Sequence, residues 1–267
     1  SEIGDGLQSA YPMPAVVGDE IYVFYSCNDD LSHPYRSYEY VRSRDNGATW
    51  SDPVKVIDSE RRDPEHFDEV YAWGVAVDEE RGRIGITWCM AGGLPDHRKR
   101  HNAAAKNLYF AYFDAQEEVM RNAAGESLGA RILHSEFPSC LVAKKRGDWD
   151  SFDWGERMRF LLPQPAFGQG GSIHVSYGLA EEEARSIIFA SWTGSQWEKR
   201  VVRDDSWGHK DLEWLGGGVF RILYKPGPDY RHIAIARTDD GGKTWSNDFR
   251  APIPFRGDDN ATHEDQF

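Results

Sequence analysis

The densest group of chemistry-bearing side chains is Asp96-His97-Arg98-Lys99-Arg100-His101. In such a run His97 and His101 could move a proton, while Arg98 and Arg100 could hold a carboxylate or sulfate. The plainer reading is a solvated charged loop. His33 and Arg36, in Ser32-His33-Pro34-Tyr35-Arg36, sit on a predicted loop and could reach a cleft, although turn chemistry alone explains Pro34. His174 alternates with Ile173 and Val175, so it faces a central channel or a core where its ring nitrogens are satisfied. Asp148, Asp150 and Asp153 are spaced like oxygen ligands for calcium but lack the Gly and terminal Glu of the helical calcium loop. A structural calcium there is the only metal the pattern suggests, and no cofactor is expected. Cys27, Cys89 and Cys140 fit no zinc spacing and read as small buried apolar residues. No nucleotide loop and no local Ser–His–Asp signature is present.

The elements that must position these groups are short and β-rich. Examples are 20–25, 83–88, 107–112, 172–177, 186–191 and 231–236, rich in β-branched and aromatic residues and bounded by Gly, Asp, Asn and Pro. Helical periodicity is scarce, and 180–184 reads as a charged loop. The chain of 267 residues carries 31 Lys plus Arg against 44 Asp plus Glu, a net charge of −13. That balance argues against nucleic acid and anionic membrane partners, leaving room for a local basic pocket. With 10 Trp, 12 Tyr and 13 Phe the chain is rich enough in aromatics to fold as one large domain over 1–267. No apolar run is long enough for a spanning helix. The opening Ser1-Glu2-Ile3-Gly4 shows neither an initiator Met nor a signal-peptide core, which fits a mature form or a start in mid-protein.

One eight-residue pattern occurs twice. Ser43-Arg44-Asp45-Asn46-Gly47-Ala48-Thr49-Trp50 matches Thr238-Asp239-Asp240-Gly241-Gly242-Lys243-Thr244-Trp245. Asp45 and Asp240 can accept backbone N–H bonds across a tight turn, with Ser43 and Thr238 beside them. Gly47 and Gly242 permit positive φ, and Trp50 and Trp245 can pack between sheets. The stretch 191–197 is a degenerate third copy without the Asp.

The pattern resembles the Asp-box, or bacterial neuraminidase repeat, of sialidase-like β-propellers. The resemblance implies an all-β propeller of four-stranded antiparallel blades with Asp-box turns. Strand order suggests blades at 10–58, 70–135, around 172–203 and at 212–254, with 138–164 an insertion or a divergent fifth blade. Four to five units make an incomplete wheel. Ala10-Tyr11-Pro12, Val70-Tyr71-Ala72 and 106–112 look most like the ulvan-lyase-like subgroup, which cleaves uronic-acid polymers. By that resemblance Tyr11 and Tyr71 are catalytic candidates lining the cleft, and Tyr109 is a substrate-binding one. The subgroup places an Arg after the aromatic run of the first of these blades, where this chain has Ser26-Cys27; His97 or Arg98 would then have to replace it. Its catalytic His residues are expected on blades before Tyr11, for which this chain has no room, so a fragment of a larger propeller is expected.

The resulting expectation is a secreted or periplasmic propeller that cleaves an acidic polysaccharide or oligosaccharide, by β-elimination or hydrolysis. The alternatives are a sialidase-like exo-glycosidase and a non-catalytic glycan- or protein-binding propeller. Fold alone does not choose between them.

Overall fold

The computed structural model describes residues 9–28, 36–58, 68–92, 106–144, 159–181, 184–204, 206–227 and 232–252. Strands dominate, as the sequence predicts, and they come in successive up-and-down units. The first unit is β1 (Ser9–Val17), β2 (Glu20–Asn28), β3 (Arg36–Ser43) and β4 (Val54–Asp58). The second is β5 (Asp68–Asp78), β6 (Arg83–Gly92) and β7 (Lys106–Asp114), with its fourth place shared: β8 (Val119–Arg121) pairs one end of β7 and β10 (Leu141–Ala143) the other. The third is β11 (Arg159–Phe167), β12 (Ile173–Glu181), β13 (Ala184–Trp192) and β14 (Trp197–Arg203). The fourth is β15 (Ser206–Gly216), β16 (Val219–Pro226), β17 (His232–Thr238) and β18 (Ser246–Pro252).

The described part of 138–164 therefore completes the second unit and begins the third. It forms no unit of its own. A parallel bridge, Arg36 to Glu69, joins the first two units, as does a short parallel pair of β4 with β9 (Ile132–Leu133). Among the described residues no strand of the first unit pairs with the fourth, so the series does not close there.

The middle strands are apolar on both faces because each face meets a different neighbour. Tyr109, Ala111 and Phe113 of β7 turn toward the first unit, joining Tyr22, Phe24, Tyr38 and Tyr40. Leu108, Phe110 and Tyr112 turn the other way, against Phe160, Ile173 and Tyr177 of the third unit. The same alternation on β13 sends Ile188 and Ala190 back to the second unit and Ile187 and Phe189 forward to Phe220 and Tyr224. Aromatic contacts stitch each seam, with centroids 5.2 Å apart for Tyr40–Phe113 and 5.3 Å for Phe189–Phe220. At the second seam the Arg83 guanidinium pairs with Asp78, donates to the Gly171 carbonyl at 3.0 Å, and lies 4.8 Å from the Phe167 ring centroid. The three cysteines are buried in these layers, and burial pushes the Cys140 thiol up to about 12.

The repeated turns use their residues as the pattern predicts. Asp45 Oδ1 accepts from the Thr49 N–H at 2.7 Å and from the Ser43 hydroxyl at 2.9 Å, and Oδ2 accepts from the Thr49 hydroxyl at 2.6 Å. Asp240 repeats this, accepting from the Thr244 N–H at 2.9 Å, the Thr238 hydroxyl at 2.7 Å and the Thr244 hydroxyl at 2.7 Å. The Ser43 and Thr238 hydroxyls in turn accept from the Gly47 and Gly242 N–H groups. These donors hold the Asp45 and Asp240 carboxyls below the usual carboxylate range. Trp50 and Trp245 are half-buried where the pattern suggests burial between sheets. Trp245 meets Phe189 edge-on at 5.2 Å, and Trp50 packs on the small cluster of Tyr25, Cys27 and Val41. Replacing Asp45 or Asp240 by Ala leaves backbone donors of its turn without their acceptor, so each variant should unfold at lower urea concentration than the parent.

His174 is the satisfied core histidine. Its ring nitrogens lie 3.0 Å from the Ser172 hydroxyl and 2.9 Å from the Ser191 hydroxyl, and the ring stacks on Phe189. Burial lowers its pKa from 6.5 to about 4. The unfolded chain therefore binds a proton at pH values where the folded one does not, and stability falls as pH drops from 6.5 toward 4. The loss amounts to about 3 kcal/mol over that window. Urea titrations at pH 7 and pH 4.5 should show it, and His174→Gln should flatten that part of the profile.

Candidate functional site

All four units begin with a strand that carries a bulge, that of the fourth unit between His209 and Asp211 among others. The register slips between Ala10 and Met13 in β1, between Ala72 and Gly74 in β5, and between Leu161 and Gln164 in β11. The cause is legible in the residues. Tyr11-Pro12-Met13-Pro14 and Leu162-Pro163-Gln164-Pro165 put prolines in a strand, which only an unpaired edge or a bulge tolerates. Tyr11 and Leu162, each before a proline, sit at φ 57° and 44°. In β5 the unpaired residue of the bulge is Trp73, followed by Gly74. A bulge re-aims the side chain it carries, and Tyr11 is held at positive φ within one.

The bulges bring Tyr11, Tyr71 and Trp73 together. Ring centroids are 6.1 Å apart for Tyr11–Tyr71, 6.3 Å for Tyr11–Trp73 and 5.8 Å for the stacked Tyr71–Trp73 pair. Tyr11 is 44% exposed, whereas Tyr71 is buried at 7%. Over them lies Arg36, its Cζ 4.7 Å from the Tyr71 centroid and 5.8 Å from that of Tyr11. The parallel bridge delivers it: Arg36 opens β3 beside Glu69 at the start of β5, and both are buried.

The electrostatics give Tyr71 a defined sense. Burial raises its pKa, the Glu69 charge raises it further, and Arg36 only partly opposes them. At neutral pH Tyr71 is a protonated phenol beside a fixed cation, and thus a proton donor. Arg36 is a permanent positive charge suited to a carboxylate or sulfate.

Of the expected site residues, Tyr11, Tyr71 and Arg36 converge. Tyr109 does not join them. It stacks on Trp88 at 5.3 Å in the core between the first and second units, and its hydroxyl accepts from Asn107 at 3.0 Å. Its place on β7 points it into a seam. His33, His97, Arg98, Arg100, His101 and the Asp148, Asp150, Asp153 group lie outside the described residues. Among the described residues no group of three or more His, Cys, Asp or Glu is placed to hold a metal, and no helix is long and apolar enough to cross a membrane. Ser26, where an Arg was expected, is fully buried on β2 opposite Ala10. The cation beside the tyrosines comes instead from the next strand. Trp73 and Glu69 were missed by the sequence reading; the one available signal was a Trp-Gly in an otherwise β-branched run.

Gly74 sets the spacing of this region. A Cβ there would stand 2.6 Å from Gln164 Oε1 and 2.9 Å from the Pro163 carbonyl, while Gln164 Nε2 donates to the Trp73 carbonyl at 2.9 Å. Gly74→Ala should force β5 and β11 apart, costing about 1–3 kcal/mol in a urea titration. It should also shift the Trp fluorescence as Trp73 moves.

No family model matches the chain. It is 28% identical over 131 residues to an ulvan lyase of Alteromonas sp. (strain LOR), covering 48% of this chain and 26% of that protein. It is 23% identical over 181 residues to the ulvan lyase PL25 of Pseudoalteromonas sp. (strain PLSV), covering 67% of this chain and 36% of that one. The matches thus span about a quarter to a third of these relatives' length. Among solved structures, a PL25 ulvan lyase bound to -[GlcA(1-4)Rha3S]- superposes with a TM-score of 0.69 at 18% identity, over 91% of this chain and 56% of that one. Trypanosoma rangeli sialidase in complex with sialic acid superposes at 0.57 and 13% identity, over 90% and 37%. The chain has a mostly-β, sialidase-like fold, and its relatives include polysaccharide lyases.

Proposed function

We propose that the chain forms four consecutive blades of a sialidase-like β-propeller, with Asp-box turns at 43–50 and 238–245, and that it cleaves a uronic-acid polysaccharide by β-elimination. The observation that carries this reading is the Arg36 guanidinium seated over Tyr71 and Tyr11. Arg36 neutralises the substrate carboxylate, which makes the hydrogen on the adjacent carbon acidic and stabilises the charge that develops as it leaves. A base takes that proton; Tyr11 and the His97–His101 segment are the candidates. The freed electron pair forms the C4=C5 double bond as the C4–O bond breaks, and Tyr71 gives its proton to the departing sugar oxygen. No water is consumed. Tyr11 and Trp73 offer flat apolar faces on which sugar rings stack.

The relatives support the class of substrate: a polymer of glucuronate and a sulfated sugar, of the kind seen in the superposed lyase. Such a polymer is too large to enter a cell, so a secreted or periplasmic location belongs to the same reading.

The test is the purified protein with that polymer, followed by ultraviolet absorbance of the unsaturated uronate. Arg36→Gln and Tyr71→Phe should each lower turnover about 100-fold or more. New reducing ends without ultraviolet absorbance would make it a hydrolase. Binding without any cleavage would leave a glycan-binding propeller.

A further inference from the structure

The crevice between the last strand of the third unit and the outer strands of the fourth has a volume of about 370 Å³. Its floor is Tyr224 and Ala234, its wall Arg203 at the end of β14, and its rim Asn247, Phe249 and Arg250 on β18. We propose that it is a second carbohydrate site, for a sugar unit bearing a carboxylate or sulfate, separate from the Arg36 cluster on the first two units. With the reading above it shares only the class of ligand.

Four features point to that ligand. First, Arg203 is held in position: its Nη2 and the Tyr224 hydroxyl, at 3.1 Å, both donate to Asn247 Oδ1. Second, Arg203 is a lining residue of the crevice, and a planar guanidinium suits a carboxylate or a sulfate. Third, Phe249 is 50% exposed, an apolar ring at the mouth with no place in the core clusters. Fourth, the lining also carries Asp204 and Asp248, the latter 3.7 Å from Arg221. A simple inorganic anion gains nothing from carboxylates. A sugar acid does, because its hydroxyls donate to them while its charged group meets Arg203 and its ring face meets Phe249.

The test is calorimetric titration of the Arg36→Gln protein with a sulfated glucuronate tetrasaccharide, so that the first site is disabled and no cleavage interferes. One ligand per chain should still bind. Adding Arg203→Lys, which keeps the charge but loses the planar guanidinium, should weaken it about tenfold or more. Adding Phe249→Ala should do the same, at an exposed side chain whose loss does not endanger folding. Loss of all binding in Arg36→Gln alone, or double variants that bind as tightly as Arg36→Gln, would overturn the proposal. Failure of the lyase reading looks different: no ultraviolet-absorbing product from the parent protein, with Arg203-dependent binding intact.

Discussion

In the second and third units the middle strands carry apolar residues on both faces, and a sheet with two apolar faces is stable only when both are covered. That constraint stacks the units in series. It accounts for the near-continuous hydrophobic middle strands, for the division of β7 and β13 side chains between two seams, and for the aromatic contacts across each seam. It also ranks the strands. Middle strands are locked by packing on two sides, whereas the first strand of each unit has a free edge and is packed chiefly by its counterparts in adjacent units. Irregularity is tolerated there, and the bulges of β1, β5, β11 and β15 and the proline pairs of β1 and β11 are found there.

The site follows from that tolerance. In a first strand a bulge turns Tyr11 and Trp73 toward one another at modest conformational cost. The close approach of β5 and β11 at Gly74 then fixes the distance between neighbouring bulges. The two tyrosines sit on first strands, whereas Arg36 opens β3, whose Tyr38 and Tyr40 pack in the first seam.

The charge arrangement brings a cation to the tyrosines from a strand other than the one the resemblance implies. An Arg was expected on β2, and Ser26 stands there. Arg36 supplies the guanidinium from β3, carried across by a single parallel bridge to Glu69. Glu69 adds a second effect, since its charge joins burial in keeping Tyr71 protonated against the pull of Arg36.

The fold class was legible because its causes are local. Alternation of β-branched and aromatic residues marks strands, and the spacing of Asp, Gly, Thr and Trp marks a turn whose hydrogen bonds close within eight residues. His174 between Ile173 and Val175 could be narrowed to channel or core, but Ser172, Ser191 and Phe189 come from folding, and they decide for the core. Tyr11 and Tyr71 were singled out by resemblance; their meeting with Trp73 depends on bulges, which are register shifts between strands and leave only Pro and Gly as traces. Tyr109 was misplaced because strand parity, not residue type, decides whether a tyrosine faces a seam or a cleft. The short strands β4, β8, β9 and β10 carry too few residues to show a period, so their pairings are set by what the longer strands leave uncovered. Sequence alone determined the strands, the turns and the acidic, aromatic-rich character of the chain, because each depends on neighbours along the backbone. Only the tertiary structure decided which cation meets which phenol, because Arg36 and Tyr71 are joined by a bridge between units and by nothing in the chain between them.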